Sequence, residues 1–160
     1  MKDFITEFIN TINQYYDKLA EISEKKSELP PAPGKWSPKE IIGHLIDSAS
    51  NNHQRFVRIQ FKDDMFFPVY IQDNWVSIQN YKHESWEQLI NLWKYYNLHI
   101  AHVVGNIPPD LLNLKITKYK SEDISWIPAT DENKFTLDYL IRDYEGHLRH
   151  HLNQVFLKGL

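Results

Sequence analysis

Between Glu145 and Gln154 the chain places two histidines four residues apart, His147 and His151. On a helix, residues at that spacing share a face with Cβ atoms about 5–6 Å apart, so the two imidazoles can bind one divalent ion. Two ligands do not make a site, and the natural third is His44, within the run from Gly43 to Asp47. Three protein ligands with a fourth position open is the pattern of a catalytic metal, whereas closed structural sites use four. An open position can take a water and lower its pKa toward ~7, which leads to hydrolysis. It can equally take the sulfur of a small thiol, shift it from a free pKa near ~8.5 to thiolate, and present it to an electrophile.

Eight histidines in one chain also produce accidental spacings. His99 and His102 are three apart, as are His147 and His150. His150 projects about 100° from His151 on a helical wheel and reads as a flanking residue rather than a ligand. His53 and His83 read as exposed, and His99 and His102 have no visible partner. A histidine hydrogen-bonded at the border of an apolar stripe is the competing reading for His44.

Four helical patterns must position these residues. The first runs from about Asp3 to Ser23, with Phe4, Phe8, Ile12, Tyr15, Tyr16, Leu19 and Ile22 at spacings of three and four. The prolines between Leu29 and Gly34 end it and impose an extended link. A second starts where Ser37 can cap, Pro38 takes the first helical position and Glu40 completes a capping box, and it should reach about Gln60. The third begins near Ser85 and carries Leu89, Leu92, Trp93, Tyr96, Ile100 and Val103 along one face to about Gly105. The last runs from about Thr136 to Lys158. The stretches Met65 to Ile71 and Ile124 to Ile127 lie against prolines and read as loops. The expected fold is all-α, a four-helix bundle with long loops between helices, forming a single domain over residues 1–160.

At about 100° per residue, Ile41, Leu45, Ala49 and Phe56 form the apolar arc of the second helix, with His44 at its edge beside Ser48. On the last helix Leu137, Ile141, Leu148, Leu152 and Val155 form the arc, with His147 and His151 at one border. If these two helices pack side by side, the three imidazoles converge near one end of the bundle.

Composition narrows the function classes. An apolar content of 42% fits a globular core rather than a disordered chain, and a net charge of −3 with no basic tract argues against a nucleic-acid partner. The absence of cysteine excludes disulfides, thiolate ligands and a protein thiol nucleophile. No apolar run reaches signal-peptide or membrane-span length, so a cytoplasmic location is the default expectation.

The segment from Gly34 through Trp36, Ser37 and Pro38 to His44, Asp47 and Ser48 resembles the start of the second helix in the DinB superfamily. It is more closely similar to the YfiT-like branch, which includes bacillithiol S-transferases. The resemblance continues through Asn51, Arg55 and Phe56, resumes with Pro68, Tyr70 and Trp75, and returns from His147 to His151. It implies a four-helix bundle in which His44, His147 and His151 hold a divalent metal, commonly nickel or zinc, and in some members a homodimer. Two features depart from the pattern. The loop from Leu114 to Lys134 is idiosyncratic, and Gly146 stands where the nearest relatives carry a tryptophan.

Neighbouring residues can be given candidate roles. Asp47, one turn from His44, could orient an imidazole or a metal ligand, or be a solvated surface acid. Arg55, three turns from His44 on the same face, could receive an anionic substrate group, or form a surface ion pair. Asn51 and Ser48 could line the same groove, and Trp36, Tyr70 and Trp75 either wall it or cover a core edge. The preferred reading is a metal-dependent enzyme that conjugates a low-molecular-weight thiol to an electrophilic small molecule. The alternatives are a metal-dependent hydrolase and a non-catalytic metal-binding stress-response bundle.

Overall fold

Short polar caps and apolar stripes translate into helices much as the spacing predicts. The structure is a computed structural model that describes residues 1–61, 67 and 70–156. In chain order its helices are α1 (Lys2–Ala20), α2 (Glu24–Ser27), α3 (Pro38–Arg58), α4 (Gln72–Gln79), α5 (Trp86–Gly105), α6 (Pro109–Leu112), α7 (Ser121–Ile124) and α8 (Leu137–Val155). No strand occurs among the described residues, only an isolated bridge between Lys115 and Thr136. Among these residues no helix is long and apolar enough to cross a membrane.

The capping signals hold at atomic detail. Ser37 Oγ accepts the Glu40 amide while the Glu40 carboxylate accepts the Ser37 amide at 2.8 Å, which completes the predicted capping box of α3. Ser85 and Thr136 cap α5 and α8 through their hydroxyls, which accept the Gln88 and Tyr139 amides. The first helix stops at Ala20 rather than Ser23, because the Ser23 hydroxyl instead accepts the Lys26 amide and starts α2. The last helix is described to Val155, and Lys158 lies outside the described residues. Of the two stretches read as loops, Phe67, Tyr70 and Ile71 are irregular as expected, and the rest of Met65 to Ile71 lies outside the described residues. In the other, Ile124 closes the short α7 and Ser125 to Ile127 are irregular.

The four long helices form the bundle: α3 packs against α5 and α8, and α1 against α5. Phe8 of α1 meets Tyr144 of α8 edge-on at 6.3 Å, which closes the ring. Because α3 also touches α4, every residue of its first half from Pro38 to Ala49 except the half-buried Glu40 is buried, not the expected arc alone. The buried face of α5 is likewise rotated from the expected one. It centres on Leu89, Ile90, Trp93, Ile100, Ala101 and Val104, while Leu92 is 49% exposed. Packing of α5 against two helices at once demands a broader face than one stripe.

At the bundle's near end, Lys39 is buried and its ammonium is paired with Glu24 and Glu28. The other oxygen of Glu24 accepts the Trp86 amide at 2.9 Å, so one carboxylate ties α2 to the starts of both α3 and α5. Burial alone would lower the Lys39 pKa, but the two carboxylates outweigh it and hold the ammonium above its ordinary value.

Two buried phenols give the fold an alkaline limit. Tyr144 donates to Asn97 Oδ1 at 2.6 Å inside the core, and Tyr81 donates to Asp47 Oδ1 at 2.7 Å. Burial raises both pKa values well above the usual range, and the Asp47 carboxylate raises Tyr81 further. The unfolded chain therefore loses these protons first, near pH ~10, so the stability they carry is whole below that pH and declines above it. In an alkaline titration, two tyrosines should ionise only together with loss of the helical circular-dichroism signal. Their ionisation alongside exposed tyrosines in a still-helical protein would contradict this.

A three-histidine candidate metal centre

The seam between α3 and α8 brings the three expected imidazoles together. His44 stands one turn and a half into α3, and His147 and His151 occupy successive turns of α8. Their ligand atoms all lie within 4.8 Å of one another. Ring centroids are 5.1 Å apart for His44 and His147, 4.7 Å for His44 and His151, and 4.5 Å for His147 and His151. His44 and His147 are buried and His151 is half-buried, so the cluster has one open side.

Hydrogen bonds orient the rings. His151 Nδ1 lies 2.9 Å from Gln154 Oε1, an acceptor, so the proton sits on Nδ1 and the Nε2 lone pair is free. Ser48 Oγ lies 3.4 Å from His147 Nδ1 and plays the same part more weakly. That leaves Nε2 of His147 facing Nε2 of His44 at 3.2 Å. A tetrahedral ion with bonds of about 2.0–2.1 Å holds its nitrogens about 3.3–3.4 Å apart, so this spacing suits two ligands of one ion. His44 Nδ1 is buried with no partner. A buried nitrogen without a bond costs about 1–3 kcal/mol, a cost that a ligand at the other ring nitrogen would have to outweigh because it does not pair Nδ1.

The environment keeps the imidazoles neutral. Burial, followed by the neighbouring His151, pulls His44 down to about 3. Burial and the surrounding imidazoles pull His147 down to about 2, and burial also lowers His151. Neutral imidazole is the form that ligates, so protons do not compete for this site near neutral pH.

Two tryptophans bracket the cluster. Trp36, just before α3, stands 5.0 Å from the His44 ring and 6.3 Å from that of His151. Trp126, from the α7–α8 connection, stands 6.0 Å from His147 and 5.0 Å from His150. The backbone amides of Trp126 and Ile127 donate to the Asp143 carboxylate at 2.6 and 2.8 Å, which fastens that connection to α8. A β-carbon on Gly146 would lie 3.5 Å from the Trp126 ring, so the space beside position 146 is already taken by a tryptophan from the loop.

The remaining candidates fall in different places. Asp47 is buried, not a solvated surface acid. Its Oδ1 accepts from Gln79 and Tyr81, both at 2.7 Å, no bond joins it to the three histidines, and burial raises its pKa. Arg55 is also buried rather than paired at the surface. Its NH1 donates to the Ile124 carbonyl at 2.9 Å and to Asn52 Oδ1 at 3.3 Å. Asn51 is turned to its own helix, where it donates to the Asp47 carbonyl. Tyr70 and Ser48 line a cavity beside His147, and Trp75 is 38% exposed against Tyr70.

Among the other histidines, His83 is exposed as expected, and His150, read as a flanking residue, is exposed too. His53 is not: it is half-buried, 5.1 Å from the His99 ring, so His99 has a partner across α3 and α5 after all. Sequence reasoning missed Gln154, although its place three residues after His151 is a helical-pair signal. It also missed Trp126, which no local pattern marks.

A family model described as the DinB superfamily matches residues 8–155. Among solved structures, one chain matches over 98% of this chain and 86% of its own length, with a TM-score of 0.71 and 15% identity. It is YfiT from Bacillus subtilis, described as a probable metal-dependent hydrolase with an unusual four-helix bundle topology. At that identity the likeness is one of fold. No curated protein matches the chain significantly.

Proposed function

The chain belongs to the DinB superfamily, and from that membership and its histidine cluster we propose that it is a divalent-metal-dependent enzyme that transfers a low-molecular-weight thiol to an electrophilic small molecule. The observation that carries the metal reading is the convergence of His44, His147 and His151 on one point, with Gln154 and Ser48 orienting two of the rings. Three neutral nitrogen donors suit zinc or nickel, and hard-cation sites would instead present carboxylates. Among the described residues no carboxylate belongs to the cluster.

In this reading His44, His147 and His151 hold the ion. A bound divalent ion supplies Lewis acidity, favouring the ionised form of a sulfur or oxygen ligand. Trp36 and Trp126 cover two flanks and limit water, while the half-buried side at His151 admits the reactants. The cavity beside His147 then receives the body of a substrate. Thiol transfer is preferred because the resemblance to the YfiT-like branch favours it, and the lack of cysteine fits a sulfur nucleophile that arrives as a cosubstrate. Hydrolysis is the second reading, supported by the description of the structural neighbour YfiT.

The test is turnover of a generic electrophile such as an aryl halide against a panel of small thiols, with ester hydrolysis measured in parallel. We expect product only with thiol present, lost on chelation and restored by zinc or nickel. Metal-dependent ester cleavage without added thiol, and no conjugation, would replace transfer by hydrolysis.

A further inference from the structure

Arg55 carries a full charge with little to balance it. Its side chain is 6% exposed, and no ion pair joins it to a carboxylate of the described residues. NH1 is committed to the Ile124 carbonyl and Asn52, but Nε is buried without a partner. Removing a guanidinium from water costs several kcal/mol unless an anion compensates, so an uncompensated one points to a missing counter-charge. Among the described residues Asp143 supports the charge electrostatically, yet both its oxygens are taken by the Trp126 and Ile127 amides.

The missing charge has a place to sit. A cavity of about 230 Å³ is lined by Arg55, Asn52, Ser48, Tyr70 and His147, so the arginine and a proposed metal ligand share one chamber. The Ser48 and Tyr70 hydroxyls there can donate hydrogen bonds to an oxyanion, and of the acids that also line the cavity Glu122 and Asp123 are exposed and screened by solvent while Asp143 is held by two backbone amides. A guanidinium whose NH1 edge is occupied offers its Nε edge, and a planar carboxylate matches such an edge with two parallel bonds.

We propose that this cavity is a carboxylate-binding subsite in which Arg55 receives the carboxylate of the substrate or cosubstrate, fixing the molecule beside the histidine centre. The inference rests on reading those histidines as the reaction centre, but its test does not. Acetate is titrated into the isotopically labelled protein while the Nε–H resonance of Arg55 is followed, the resonance being identified by its loss in Arg55→Lys. Inorganic phosphate is titrated in parallel, and both are repeated after chelation, with metal content measured on each sample.

Acetate should shift the Arg55 signal saturably on the order of tens of millimolar, as befits a fragment. The shift should persist after chelation and exceed that produced by phosphate. Followed instead by the backbone amide resonances of Ser48 and Asn52, Arg55→Lys should weaken acetate binding by at least about tenfold while leaving metal content unchanged. Saturable acetate binding that disappears with the metal and survives in Arg55→Lys would place the anion on the ion and overturn the proposal. No shift of the wild-type signal, or phosphate binding the tighter, would overturn it as well. Absence of metal in every sample would instead count against the proposed function and leave the acetate result standing.

Discussion

Replacing His147 by alanine should abolish stoichiometric metal binding, lowering affinity by at least about a hundredfold, while His150→Ala should leave it intact. The contrast follows from position. His147 is buried with Nε2 turned toward His44 at 3.2 Å, whereas His150 is exposed, against Trp126 and Gln154. Loss of groups that merely support ligands costs about 10–100-fold in affinity, so loss of a ligand itself must exceed that. Elemental analysis of protein purified without an affinity tag reads the result directly. Full metal content in His147→Ala, or none in the native protein, would remove the basis for the proposed function. Equal losses in the two variants would point to general damage of α8 instead.

A second large effect is expected at Gly43. Glycine to alanine in a helix interior ordinarily stabilises by about 1 kcal/mol. Here the sign should reverse, because a β-carbon at position 43 would lie 2.1 Å from Tyr81 Cδ2. The Tyr81 ring lies flat against the α3 backbone and is fixed there by its bond to Asp47. Gly43→Ala must push the ring away, adding overpacking strain and stripping a buried carboxylate of one of its two donors. Together these cost about 2–4 kcal/mol. Denaturant unfolding measures it, and the double variant assigns the cause. In a Tyr81→Ala background the clash is gone, so Gly43→Ala should become neutral or stabilising. An unchanged or higher stability of Gly43→Ala alone would refute the close approach.

Much of this architecture was readable because its signals are local. The Ser37–Pro38–Glu40 start of α3, the stripes of α1 and α8, and the four-residue spacing of His147 and His151 each depend on neighbours within a turn or two. His44 was readable in part: its position at the edge of an apolar arc marked it as facing a helix seam, and the resemblance to the DinB superfamily, not the arc, joined it to His147 and His151. The failures are long-range. Burial of Arg55 depends on the Ile124 carbonyl, 69 residues further along the chain. Asp47 stays open between a ligand-orienting role and a surface acid until α4 and Tyr81 fold over it, and α4 was hard to foresee because only Val76 of its residues is buried. The buried face of α5 was misplaced by the same blindness, since one helix's pattern does not say how many neighbours it must satisfy.

The wall supplied by Trp126 separates two jobs that many sites combine. The three imidazoles stand on α3 and α8, whose packing cannot change without disturbing the bundle. Trp126 stands on the connection before α8, tied down by two backbone amides and a single aspartate. Backbone amides are present whatever the side chain, so the tether tolerates replacement of the residue it presents. Gly146 beneath it lets the Trp126 ring take the space that a bulkier residue on the helix would occupy instead. Selection can therefore exchange the surface a substrate meets by rewriting one loop and one small residue, with the histidine scaffold inherited intact. Diversification of this kind needs no compromise between holding an ion and choosing a molecule.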